Sequence, residues 1–288
     1  MRDHGIAGSA AGLVPSGHLC WAYHDRAEFH ARVLEYAADG IAAGQYVEYA
    51  GEGSASELRD QFAALAGDGP LRDALDAGLI GIRPVGGFHR STGDSGVIGP
   101  AASFLADCTE KALADGYTGF RAVVDATAMA RTPGQRDAHA RLEYLIDRQM
   151  TTLPAATLCA YDVSELGADA VAELACLHPF ISPGAAPFQL YASPGAAFAL
   201  AGDIDHDSAA LFSATLERVG PPPDGPDMVI DARALDFIDH RGLRALDEHA
   251  AARNRTAVLR TASPGTAKIA ALLPYQALRV ETTARRRG

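Results

Sequence analysis

The sequence predicts an α/β protein with a parallel sheet covered by helices, followed by a second, smaller α/β domain. Two observations carry this. From His18 to about residue 180, short apolar runs alternate with segments of helical period, and such alternation favours a parallel sheet with helices on both faces. A break then follows at Ser182-Pro183-Gly184-Ala185-Ala186-Pro187. Proline and glycine among small residues read as a linker, and strands and helices resume after it in a different rhythm.

The elements fall in order. Residues 1–17 are rich in Gly, Ala, Ser and Pro and read as a flexible arm. His18–Tyr23 (HLCWAY) is an apolar run suited to a buried strand. Phe29, Val33, Leu34, Ala37 and Ile41 recur at helical spacing, with Asp25 as N-cap and Gly44 as stop. Gln45–Gly51 is the next strand and Ser56–Ala66 the next helix. Leu79–Val85 is a third strand, and residues 86–99 a Gly- and Ser-rich loop. Ala101–Ala114 is a helix, Phe120–Ala126 a strand, Ala138–Thr151 a helix, Ala156–Asp162 a strand and Asp169–Leu177 a short helix. The first domain spans 18–182 and the linker 183–187. The second domain, 188–283, offers strands at 188–193 and 196–201, a helix at 206–219 and a proline-rich loop at 220–226. A strand at 228–232, a helix at 240–252, a strand at 256–262, a helix at 265–273 and a last strand at 277–281 complete it. Residues 284–288 form a basic tail.

Composition narrows the function. The 288 residues are 48% hydrophobic and 21% charged, enough apolar content for a real core. A net charge of −11 argues against a nucleic-acid footprint; Arg285-Arg286-Arg287 is the one basic cluster and sits on the tail. No run approaches the roughly 20 apolar residues of a membrane span, and residues 1–17 lack a signal-peptide pattern. Cys20, Cys108, Cys159 and Cys176 show neither CxxC spacing nor a disulfide framework. A cytoplasmic protein with reduced thiols is expected.

In the second domain, three stretches stand out: GDIDHDSA (202–209), MVIDARALDFIDHRGLRAL (228–246) and LRTASPGTAKIAALL (259–273). Together they resemble the STAS domain of anti-sigma factor antagonists. The family places Asp-Ser-Ser-Gly where this chain has Asp239-His240-Arg241-Gly242, and a kinase phosphorylates one of those serines. Here no hydroxyl is present, so phosphorylation at that point is excluded. Asp239 is suited to cap the helix and Gly242 to keep the turn tight. The resemblance implies that Asp203, Asp205, Asp239, His240, Arg241 and Gly242 form a surface for an anti-sigma factor or a related serine-kinase-type regulator.

The first domain carries HLCWAY, Asp39–Tyr49 (DGIAAGQYVEY), Asp115–Arg121 (DGYTGFR) and LCAYD (158–162) followed by His178-Pro179. This set resembles the MEDS sensory domain of methanogen and methylotroph regulators, which is similar to RecA/KaiC-type ATPases lacking the catalytic loop. The residues agree: AYHDRAEF after the first strand offers no glycines and no Gly-Lys-Ser/Thr, and Asp25 and Glu28 would repel phosphate. Asp125 ends its strand where an ATPase holds metal, or merely caps a turn.

In open parallel sheets, ligands settle at the carboxyl ends of strands. His18, Cys20 and Tyr23 on the first strand and Cys159 and Tyr161 on a late one are the candidate ligand-sensing residues, for a small apolar or aromatic molecule. Cys and His brought together can bind a metal or haem or sense oxidation. No two of them show metal spacing, however, and buried Cys and His often simply pack. No metal, no cofactor and no catalytic constellation is expected; Glu217 and Glu248 sit at solvent spacing, and His4, His30, His139, His206, His240 and His249 are scattered. The expected function is a non-enzymatic regulator whose sensory domain controls the STAS domain, with a homodimer left open. Two alternatives stand beside it: a ligand- or nucleotide-handling enzyme, and a thiol redox sensor.

Overall fold

A computed structural model describes residues 3–12, 17–87, 99–220 and 227–283. The strands are β1 (Gly5–Ile6), β2 (His18–Tyr23), β3 (Tyr46–Gly51), β4 (Ile80–Pro84), β5 (Phe120–Asp125), β6 (Ala155–Asp162), β7 (Phe180–Ile181), β8 (Phe188–Tyr191), β9 (Phe198–Ile204), β10 (Asp227–Ile238), β11 (Thr256–Thr261) and β12 (Leu278–Thr282). The helices are α1 (Arg26–Ala42), α2 (Ala55–Ala66), α3 (Pro70–Asp76), α4 (Gly99–Ala114), α5 (Pro133–Gln149), α6 (Val163–Leu166), α7 (Ala168–Ala175), α8 (Ala209–Val219), α9 (His240–Ala251) and α10 (Pro264–Ala271).

Seven strands form one sheet in the order β1-β7-β2-β6-β5-β3-β4, with every pairing parallel. A second sheet runs β12-β11-β10-β9-β8, parallel except for the β8–β9 pair. The helices begin where their caps put them. Asp25 accepts the Glu28 N–H at 2.8 Å, and reciprocal capping boxes join Ser54 to Glu57 and Thr132 to Gln135. Gly44, at φ 69°, follows the end of α1.

The motif residues of the first domain turn out to build its core. Arg121 is fully buried. Its guanidinium donates to Gln45 Oε1 at 2.7 Å, to the Tyr36 carbonyl at 3.3 Å and to Asp39 at 3.0 Å, and it stacks over the Tyr36 ring. A Cβ on Gly40 would lie 2.7 Å from the Arg121 side chain. The two glycine-rich motifs, 39–49 and 115–121, are therefore one interlocked structural unit, tied further by the Thr118 N–H to the Gly44 carbonyl.

Three expectations need correction. Residues 1–17 are not wholly a loose arm: β1 adds to the sheet edge beside β7, Ala10 is fully buried, and its N–H donates to Glu35. The helix α3 was not anticipated; the Gly69-Pro70 pair that opens it also reads as a turn. The expected linker at 183–187 is packed and not a free tether. Ala185 is buried, and one hydrophobic core runs through both sides, joining Tyr144, Leu174 and Leu177 to Leu190, Phe212 and Leu216. The Leu190 N–H donates to the Cys176 carbonyl at 2.6 Å, the Gln189 amide to the Pro179 carbonyl at 2.6 Å, and the Ala192 N–H to Asp147 at 2.6 Å. Arg218 of α8 pairs with Asp137 of α5 and Glu173 of α7. Most of the expected 86–99 loop (88–98), the proline-rich part of the 220–226 loop (221–226) and the basic tail lie outside the described residues.

Candidate functional site

The carboxyl ends of the parallel strands, where a nucleotide would sit, are filled by ion pairs. Arg26 reaches Asp125 at 2.8 Å, and Arg131 lies between Glu52 at 2.7 Å and Glu165 at 2.5 Å. Asp125 also accepts from the Thr127 N–H, the turn-capping role open to it. Asp25 and Glu28 are spent on the start of α1; Glu28 accepts from Trp21 Nε1 and the His24 N–H. The space left is about 150 Å³, below the roughly 300–1,000 Å³ of ordinary ligand pockets. Tyr23 belongs here: its hydroxyl is 3.4 Å from Asp125, and burial, reinforced by that carboxylate, pushes its pKa up to about 12.

The other four ligand-sensing candidates lie elsewhere. His18 pairs in register with Thr157 and Cys20 with Cys159. Alternation along a strand then puts His18, Cys20, Cys159 and Tyr161 on one face and Tyr23 on the other. The four converge on α5, expected from the sequence as a helix but not as part of the site. Its His139, Glu143 and Asp147 are spaced by four and form one buried stripe. His18 Nε2 lies 3.1 Å from Glu143 and His18 Nδ1 3.1 Å from Asp147. Glu143 also receives the Tyr161 hydroxyl at 2.7 Å and faces His139 Nε2 at 2.9 Å. His178 stands against His18 with ring centroids 4.0 Å apart. Spacing along the chain hides this cluster, because its groups come from β2, α5, β6 and the turn after α7.

Burial opposes charge on all these groups. It lowers the pKa of His178 to about 3, helped by nearby His18. On His18 the hydrogen bonds to Asp147 and Glu143 outweigh desolvation and raise it. Desolvation also opposes the Glu143 charge, but the surrounding histidines hold it well below the usual carboxylate range. Burial raises the thiols of Cys20 and Cys159 well above the ordinary cysteine value.

The predicted docking residues do gather on the second domain. Phe237 pairs with Asp203 and Ile238 with Ile204, so the Asp205 loop and the start of α9 emerge side by side. Asp239 caps α9, accepting from Arg241 N at 2.8 Å and Gly242 N at 3.0 Å. Asp205 is turned onto its own loop, accepting from the N–H groups of Asp207 and Ser208. Asp203, His240 and Arg241 are exposed, as are Asp236 and Phe237 beside them. Gly242 serves a different purpose from the expected tight turn. It lies in the helix, and a Cβ there would sit 2.7 Å from Ile238 and 2.8 Å from Ile204. Gly242→Ala is expected to cost about 1–3 kcal/mol by overpacking, measurable as a lowered urea midpoint. A cleft of about 590 Å³ between α7 and α8 borders this face and is lined by Asp169, Glu173, Asp205, Ser208 and Arg218.

A seven-stranded parallel sheet joined to a small mixed sheet with a capped helix start at its edge is an α/β architecture of two parts, and each part matches a family. The chain belongs to the MEDS family, described as the methanogen/methylotroph, DcmR sensory domain, which matches residues 17–179. Residues 192–278 match a second family, described as Mlab, STAS domain. Among solved structures, the KaiC-like protein PH0186 from the archaeon Pyrococcus horikoshii OT3 is similar at 15% identity, over 67% of this chain and 83% of that one, with a TM-score of 0.39. None of the curated proteins matches the chain. Among the described residues, no helix is long and apolar enough to cross a membrane.

Proposed function

We propose that the protein is a non-enzymatic signalling regulator whose MEDS domain controls a STAS docking face. The partner is an anti-sigma factor or a related serine-kinase-type regulator. The observation that carries this reading is the exposed surface of Asp203, His240 and Arg241 beside the Asp239-capped helix start, on a domain whose core is continuous with the sensory domain. With His240 and Arg241 in the serine positions, control passes to the sensory domain instead of to phosphorylation at that point. The ion pairs at the strand ends and the small space among them weigh against the nucleotide-handling alternative.

The test uses full-length protein and the double variant His240→Glu/Arg241→Glu as parallel baits, with a serine-kinase-type anti-sigma factor as prey. Both substituted side chains are exposed, so the fold is expected to survive. Reversing their charge is expected to weaken retention about tenfold or more. Equal retention by both baits, or none by the wild type, would overturn the docking reading.

The redox alternative makes a different demand. Thiolate is the reactive form, and burial pushes Cys176 up to about 12 and half-buried Cys108 up to about 11. In the native protein, alkylation at neutral pH is expected to be slow and confined to Cys108, with the other three reacting only on unfolding. Rapid native labelling of Cys20 or Cys159, read by mass spectrometry, would revive the redox sensor.

A further inference from the structure

We infer that His18, Glu143, Cys159 and His178 form a structural site for one tetrahedral transition-metal ion of the Zn²⁺ class. Their ligand atoms all lie within 4.8 Å of one another, and all four residues are buried. Cys159 Sγ is 3.7 Å from His18 Nε2 and 3.6 Å from Glu143 Oε2. Glu143 Oε2 is 3.1 Å from His18 Nε2 and 3.7 Å from His178 Nε2. With bonds of about 2.0–2.1 Å to nitrogen and oxygen and about 2.3 Å to sulfur, a tetrahedral ion holds its ligand atoms roughly 3.3–3.6 Å apart. The four separations around Glu143 and Cys159 thus stand within a few tenths of an ångström of that range. The two that remain, from His178 to His18 and to Cys159, lie within 4.8 Å, so that a small shift of the His178 ring closes the polyhedron.

Proton placement points the same way. The Leu174 carbonyl only accepts, so His178 Nδ1, 3.0 Å away, carries the proton and donates it. His178 Nε2 then holds a lone pair, is buried and has no hydrogen-bond partner among the described residues. That lone pair faces a carboxylate oxygen, an arrangement that is repulsive without a cation between them. His18 repeats the pattern: Nδ1 faces Asp147 at 3.1 Å, leaving Nε2 turned toward Glu143 and Cys159. An outer carboxylate on one histidine and an outer carbonyl on the other are the usual supports of metal-bound imidazoles. Tyr161 and His139 hold the remaining Glu143 oxygen in the same way.

Charge also closes. Two neutral imidazoles, one thiolate and one carboxylate balance a divalent ion, leaving no net charge on the coordination sphere itself. Four protein ligands in an enclosed place make the site structural, with no open position for catalysis. The ion would tie β2, α5, β6 and the turn after α7 together at the base of the second domain.

The test is the metal content of the reduced full-length protein, followed by refolding with Co²⁺ after chelation. One metal ion per chain is expected. The Co²⁺ form should show the strong visible bands of tetrahedral geometry and a near-ultraviolet sulfur-to-cobalt band. Cys159→Ser should abolish the sulfur band, and His178→Gln should weaken Co²⁺ binding at least about tenfold, whereas Cys20→Ser and Cys176→Ser should retain both signals. Circular dichroism of each variant separates lost binding from lost fold. Less than about a tenth of an ion per chain in both preparations, or a sulfur band that survives Cys159→Ser, would overturn the site.

Discussion

Replacing Arg121 by Met is expected to destabilise the protein by about 3 kcal/mol, among the largest single effects in the chain. Methionine keeps the aliphatic volume and removes the charge. Gln45 Oε1, the Tyr36 carbonyl and Asp39 then lose a common donor. Severing a buried ion pair costs roughly 3–5 kcal/mol because the abandoned charge stays in the interior. The Asp39 side chain keeps 29% of its exposure, so water partly replaces the guanidinium, and the low end applies. Denaturant unfolding measures the loss directly. A change under about 1 kcal/mol would mean that the 39–49 and 115–121 motifs are held by something other than this arginine.

Asp147→Ala is expected to cost about 2–5 kcal/mol and to act on the junction between the domains. Asp147 is fully buried and faces two ways, toward His18 Nδ1 in the sensory domain and the Ala192 N–H in the STAS domain. Its removal leaves both groups without that partner, and an unsatisfied buried polar group costs about 1–3 kcal/mol. Because β8 ends at Tyr191, one residue before Ala192, and pairs with β9, the loosening should spread into the second sheet. The prediction is a lowered unfolding midpoint together with weakened cooperativity between the two domains. An unchanged midpoint would show that the Asp147 bridge is dispensable.

How far the sequence reveals this molecule depends on where each signal lies. Local patterns were legible: the Asp25 and Asp239 caps, the apolar strands and the stop near Gly44 are set by neighbours a few residues apart. The period of two along β2 and β6 was enough to put His18 and Cys20 on one face. The same period puts Tyr23, an odd number of residues from both, on the opposite face, so the five candidates could not share one site. Which cluster Tyr23 joins is set by Asp125 of β5, far away in the chain. The buried stripe His139, Glu143, Asp147 was also visible as an i, i+4, i+8 pattern. It was passed over because polar residues on a helix usually mark its wet side, and only the fold shows this face turned inward. The packing of the 183–187 stretch was hidden for a related reason. Small residues suit a free linker and a close-packed junction equally, and burial of Ala185 decides between them.

Control of the STAS face by the sensory domain requires that the Asp147 junction communicate with the docking loop. Amide hydrogen exchange of full-length wild type and Asp147→Ala tests this most directly, since local opening is read residue by residue. Exchange in β8, β9 and residues 203–208 is expected to accelerate at least about tenfold, with α1 and β3 much less affected. Acceleration confined to Ala192, or equal throughout the chain, would contradict a path from the sensory core to the docking face.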